Sequence, residues 1–236
     1  MKALRYFGER DIRHDSMEDP KLESDRDAIV QMTACSICGS DLHIYHGHGF
    51  SEDTGFCVGH EAVGEVVEVG RAVTRVKVGD KVMMPAAVGC GACRSCLSGV
   101  VNNCENNDSG CYGLSARLQG VQAEAFRVPA ADMNAVKIPE GISEDQALMM
   151  TDAMATAWFG ARNADIRPGS SVELCRNMCM TGWLAAMAAA SSDCMSSAVA
   201  SRRGQMLGMG PRDGWTGWDR IEALVPEAEL DGLEAE

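Results

Sequence analysis

Cys90, Cys93, Cys96 and Cys104 form a C-x2-C-x2-C-x7-C array within fifteen residues. Tetrahedral zinc favours thiolates, and x2 spacing lets one tight loop aim successive sulfurs at a single ion. Four protein ligands leave no open position, so this spacing predicts a structural zinc; an iron–sulfur cluster is the chemical alternative. A second constellation is spread along the chain. Cys35 and Cys38 make their own C-x2-C, Ser40 and His43 follow, and His60-Glu61 comes next. Asp152 then stands alone in the apolar run Met149-Met150-Thr151-Asp152-Ala153-Met154. One thiolate, one imidazole and one carboxylate leave a position open on zinc, as a catalytic site requires. Asp152 has a second explanation, since an acid at a helix N-terminus also satisfies the local dipole. Asp41 is expected to bond backbone in its turn, Cys57 and Cys111 to be ordinary thiols, and His46 and His48 to be loop residues.

The elements that must position these residues change along the chain. Up to about residue 145, Gly and Pro punctuate short strand-like runs, which favours a small β-barrel over a parallel sheet. Ala28–Ala34 reads as a strand, and Ala62–Gly70 alternates Val with Glu or Gly at the period of a half-buried strand. Val76–Met84 reads as strand, Gly-Asp turn and strand. Ser143 and Gln146 make a capping box for a helix over Glu144–Met150, and a second helix is expected from Ala153 to Ala164. A strand should begin at Ser170-Ser171-Val172.

Composition fits an ordinary globular chain: 236 residues, 46% hydrophobic and 23% charged. The formal charge of -13 excludes the electrostatic footprint of a nucleic-acid or anionic-membrane binder. No apolar run reaches the length of a membrane span, and the N-terminus turns charged too soon for a secretory signal. A cytoplasmic protein is expected. The 11 cysteines, an odd number, then argue for metal ligation rather than a disulfide framework.

Several motifs in order resemble the zinc-dependent medium-chain alcohol dehydrogenases over residues 1 to about 172. They are Cys38-Gly39-Ser40-Asp41-Leu42-His43, Gly59-His60-Glu61-Ala62-Val63-Gly64-Glu65-Val66, Gly79-Asp80-Lys81-Val82 and the four-cysteine lobe. Met149 to Phe159 then resembles the family's entry into its cofactor domain. The resemblance implies an α/β chain: a GroES-like β-barrel catalytic domain over 1–150, followed by an incomplete Rossmann-type segment over 151–236. It implies Cys38, His60 and Asp152 as catalytic zinc ligands and Cys90, Cys93, Cys96 and Cys104 as structural ones. By the same resemblance, Glu61 is the acid that approaches the zinc, Ser40 takes the alcohol's proton and His43 relays it. NAD or NADP would be the cofactor, an alcohol and its aldehyde or ketone the small-molecule substrates, and a homo-oligomer the assembly.

After Val172 the family should supply a strand and a glycine-rich phosphate turn. The chain reads Glu173-Leu174-Cys175-Arg176-Asn177 there, and from Leu174 to Arg220 it has no Ile and a single Val, Val199. Gly208-Met209-Gly210-Pro211-Arg212-Asp213-Gly214 resembles a glycine fingerprint, but more than thirty residues late and with no strand before it. The 86 residues from Thr151 onward leave room for only part of two βαβαβ halves. The expectation is that the reading frame or gene structure departs from the family near Glu173. The alternative to an active dehydrogenase is a zinc-binding pseudoenzyme or fragment without a working cofactor site.

Overall fold

The computed structural model describes residues 1–106, 110–163 and 165. The strands are β1 (Lys2–Gly8), β2 (Asp11–Ser16), β3 (Ala28–Cys35), β4 (Phe56–Cys57), β5 (Ala62–Val69), β6 (Lys81–Met83), β7 (Ala87–Val88), β8 (Gly110–Cys111), β9 (Ala125–Val128) and β10 (Val136–Lys137). The helices are α1 (Gly39–Tyr45), α2 (Arg94–Leu97), α3 (Ala131–Asn134), α4 (Glu144–Thr151) and α5 (Ala153–Asn163), with a 3-10 turn at Val101–Asn103. Strands pair antiparallel throughout the described residues, in sheets of order β2-β1-β4, β10-β6-β5-β3-β9 and β7-β8.

The five-stranded sheet carries the main core. Val30 and Met32 of β3, Val66 of β5, Val82 of β6 and Phe126 and Val128 of β9 point to one side, where Tyr112, Leu118 and Val121 close over them. Each buried side chain of this size contributes about 1.5–3 kcal/mol. The expected alternation in β5 holds only at its outer end, where Glu65 and Glu68 are exposed. Ala62, Val63 and Gly64 are buried together, because Ala147 and Leu148 of α4 cover the second face at Ala34 and Val63. Gly64 has no alternative there: a Cβ would lie 2.1 Å from the Gln31 carbonyl oxygen of β3.

The strands expected at Ala28–Ala34 and Ala62–Gly70 are β3 and β5. The run Val76–Met84 differs, since only Lys81–Met83 is strand. The Asp80 carboxylate accepts the Lys77 amide at 2.9 Å, and single backbone bonds join Gly79 and Asp80 to Val66. The chain is therefore closed into a turn before Lys81, with Val76 buried and Val78 exposed.

At α4 the capping box forms as its sequence requires. The Gln146 amide donates to Ser143 Oγ at 3.2 Å, and the Ser143 amide donates to Gln146 Oε1 at 3.0 Å. The Thr151 carbonyl accepts the Ala86 amide at 3.1 Å, which ties the end of α4 to the segment after β6. No helix of the described residues is long and apolar enough to cross a membrane. The expected strand at Ser170, the glycine run 208–214 and the remainder of the Rossmann-type segment lie outside the described residues.

Candidate metal centres

Three junctions bring the second constellation together. Cys38 lies between β3 and α1, His60 and Glu61 between β4 and β5, and Asp152 between α4 and α5. One donor atom from each of Cys38, His60, Glu61 and Asp152 lies within 4.8 Å of all the others. His60 is almost wholly buried, and its Nε2 stands 3.4 Å from Asp152 Oδ2 and 3.3 Å from Ser40 Oγ. Glu61 is also buried, with one carboxylate oxygen accepting the Ser36 hydroxyl. Asp152 both faces His60 and bonds its helix: its Oδ1 accepts the Thr156 hydroxyl at 2.6 Å and its carbonyl the Thr156 amide at 2.8 Å. The two explanations available for Asp152 from sequence therefore coexist on different oxygens.

Electrostatics within the cluster are unbalanced without a cation. Burial works against a charged His60, but hydrogen bonds to Asp152, Asp41 and Cys38 outweigh it and raise its pKa. The same His60 contact lowers Cys38 and Asp152. Burial pushes Glu61 up. Three acidic groups and one imidazole thus share a site that a divalent cation would neutralise, in a donor set of sulfur, nitrogen and oxygen that suits zinc.

Behind His60 stands a residue whose role the sequence did not disclose. Asp41 is buried, and its Oδ2 accepts the Cys38 amide at 2.9 Å, as its turn position predicts. Its Oδ1 faces His60 Nδ1 at 3.4 Å, and neither atom has a well-formed hydrogen bond elsewhere among the described residues. A metal-bound histidine commonly gives its other ring N–H to a carboxylate, which fixes the tautomer and ring orientation. Asp41 is placed for that partnership, with Nε2 left to the cluster. His43 lies exposed on α1, and no side-chain hydrogen bond among the described residues joins it to Ser40. Cys35 is buried away from the cluster, its thiol pushed up to about 12 by desolvation.

The four-cysteine lobe is a second donor set, with one sulfur from each of Cys90, Cys93, Cys96 and Cys104 within 4.8 Å of the others. Five backbone amides converge on three of these sulfurs. Ala92 and Cys93 donate to Cys90, Cys96 donates to Cys93, and Cys90 and Asn106 donate to Cys104, at 3.3–3.5 Å. Such donors favour thiolate over thiol, and the backbone amides of Cys96 and Glu105 hold the Cys93 pKa down. Cys93 Sγ and Cys104 Sγ are 3.8 Å apart. A tetrahedron with zinc–sulfur bonds of about 2.3 Å has an edge of about 3.8 Å, whereas a disulfide needs about 2.05 Å. The described cysteines are all free of disulfides.

Residues 24–140 match the family described as the alcohol dehydrogenase GroES-like domain. Over these residues the chain carries the GroES-like domain of the alcohol dehydrogenases. A medium chain reductase/dehydrogenase of Acremonium sp is 45% identical over 164 residues, covering 70% of this chain and 55% of the relative. The formaldehyde dismutase of Pseudomonas putida is 36% identical over 190 residues, covering 72% and 47%. Among solved structures, an alcohol dehydrogenase from Thermus sp. ATN1 superposes with a TM-score of 0.68 at 35% identity, covering 72% of this chain and 49% of that one. The chain spans about half the length of the curated relatives it matches. Cys38, His60, Glu61 and the four lobe cysteines all lie within the matched residues, and Asp152 lies twelve residues beyond them.

Proposed function

We propose that this chain is the zinc-holding catalytic part of an NAD- or NADP-dependent alcohol dehydrogenase, interconverting a small alcohol with its aldehyde or ketone. Its catalytic domain spans residues 1–150 and its cofactor-binding segment residues 151–236. The observation that carries this reading is the convergence of Cys38, His60, Glu61 and Asp152 within 4.8 Å, with Ser40 Oγ 3.3 Å from His60. Cys38, His60 and Asp152 hold the catalytic zinc with Glu61 beside it, and Cys90, Cys93, Cys96 and Cys104 hold the structural zinc. Zinc bound at the first set supplies Lewis acidity that brings alcohol ionisation towards neutral pH. Ser40 receives the alcohol's proton, and His43, exposed one turn further along α1, hands it towards solvent. Buried Asp41 orients His60, and the Ser36 hydroxyl holds the Glu61 carboxylate. The protein acts in the cytoplasm, as a homo-oligomer like its family.

Metal analysis with nucleotide titration tests this reading. Two zinc ions per wild-type chain, one per Cys38→Ser chain, and saturable binding of NADH or NADPH are expected. One zinc in both chains removes the catalytic site. Two zinc ions with no nucleotide binding favour the pseudoenzyme, for which the missing glycine-rich turn after Val172 is the specific observation.

A further inference from the structure

His60 is preceded by Gly59, whose φ is +92°, a left-handed conformation that glycine adopts without steric cost. The space a Cβ would need at Gly59 is already filled: it would lie 2.3 Å from Gln122 Cγ and 2.7 Å from Gln122 Cδ. The Gln122 side chain therefore runs across the bare face of Gly59 towards the Cys38 loop. Its own backbone is fixed beside that segment, with the Gln122 amide donating to the Val58 carbonyl at 3.1 Å and the Val121 amide to the Gly59 carbonyl at 3.0 Å. Gln122 is 2% exposed.

At the far end, Gln122 Nε2 donates to the Ser36 carbonyl at 3.0 Å and approaches Asp41 Oδ2 at 3.4 Å. Both partners are pure acceptors, so the amide orientation follows from its surroundings. Asp41 Oδ2 consequently has two donors, the Cys38 amide and Gln122 Nε2, and Oδ1 is left directed at His60 Nδ1. We infer that Gln122 is a positioning residue for the Cys38–His60–Asp152 site, acting through Asp41 to set the His60 ring and through Ser36 to hold the Cys38 loop. The inference rests on the proposal that this site holds zinc.

Equilibrium metal binding and spectroscopy on the full chain test it. Cobalt is loaded at the Cys38 site with zinc kept in the four-cysteine lobe. Gln122→Met keeps the volume and removes the donor. Outer-shell partners of metal ligands typically contribute 10–100-fold in affinity, and a residue one bond further out is expected at about tenfold. Gln122→Met should raise the Kd of the Cys38 site about tenfold and shift the cobalt d–d bands, with lobe zinc unchanged. In an Asp41→Asn background the same substitution should cost less, because only the contact with the Ser36 carbonyl is left to lose. Unchanged affinity and spectrum, or an equal loss in the Asp41→Asn background, overturns the inference. If Gln122→Met does not fold, the wild-type side-chain amide signal of Gln122 decides. It should move when metal enters the Cys38 site, and an unmoved signal overturns the inference. Failure of wild-type protein to bind metal at Cys38 instead defeats the underlying zinc reading.

Discussion

Gly59→Ala places a perturbation next to His60 whose cost follows from the local geometry. A left-handed backbone costs an L-residue about 1–2 kcal/mol. The new Cβ, 2.3 Å from Gln122 Cγ, also expels the Gln122 side chain, so the partly buried Ser36 carbonyl and the buried Asp41 Oδ2 lose that donor. Each such loss is worth about 1 kcal/mol or more. The combined destabilisation is about 3–4 kcal/mol. A domain of this size loses about 2–4 °C in Tm per kcal/mol, so the midpoint should fall by about 6–16 °C. Differential scanning calorimetry at fixed free zinc measures it. The double variant Gly59→Ala/Gln122→Ala checks the cause, because it keeps the backbone strain but has no side chain left to expel. Its destabilisation should be smaller than the sum of the two single variants by about 1.5–3 kcal/mol. A midpoint within about 2 °C of wild type for Gly59→Ala, or an additive cycle, refutes the reasoning.

Cys104→Ser should cut zinc from two ions to one and expose the segment around residues 90–104 to limited proteolysis, read by metal analysis and peptide mapping. Native-state alkylation at pH 8 should spare Cys35 and Cys57, whose thiols burial pushes up, Cys35 to about 12, while metal-stripped Cys38, lowered by His60, reacts; mass spectrometry assigns the sites. Burial opposes charge on Asp132, but donors from Thr74 and Arg75 outweigh it and hold its pKa below the usual carboxylate value. Its stabilisation is therefore present above the unfolded pKa and lost as pH falls through the folded one. Asp132→Ala should cost about 1 kcal/mol at pH 7 and less at pH 3, measured by urea unfolding.

What the sequence disclosed depended on how local the signal was. The cap at Ser143 and Gln146 and the x2 spacing at Cys90 each act within a few residues and appear where their patterns predict, whereas the alternation in β5 survives only at the end that α4 leaves uncovered. The strand expected at Val76–Val78 failed because apolar period alone could not weigh the Asp80 side chain, which closes the turn on the Lys77 amide. The hairpin of β1 and β2 has no clean alternation in Asp11–Ser16, because β2 is an edge strand with exposed residues on both faces. The turn position of Asp41 predicts the bond at one carboxylate oxygen, whereas the facing of the other towards His60 has no local signature. Gln122 offered only a faint signal, one amide in the apolar stretch Val121–Ala123, and its partners lie 81 and 86 residues away.

The placement of the donors has a mechanical consequence. Cys38, His60, Glu61 and Asp152 come from three junctions rather than from the interior of any strand or helix, so backbone hydrogen bonding alone does not fix their mutual distance. The α4–α5 junction meets the sheet through the small cluster of Ala34, Val63, Ala147 and Leu148, the Lys81–Glu144 ion pair, and a hydrogen bond from the Ala86 amide to the Thr151 carbonyl. A zinc ion held by all three junctions would add a cross-link between them. Ligand present at about a hundred times its Kd stabilises the folded state by about 2.7 kcal/mol. That stabilisation should appear as slowed amide exchange at Thr151–Ala157 and around Cys38, while the interior of β3 and β9 is little changed. Uniform slowing over the whole sheet would mean instead that the ion secures the global fold and that the junctions have no separate freedom for it to remove.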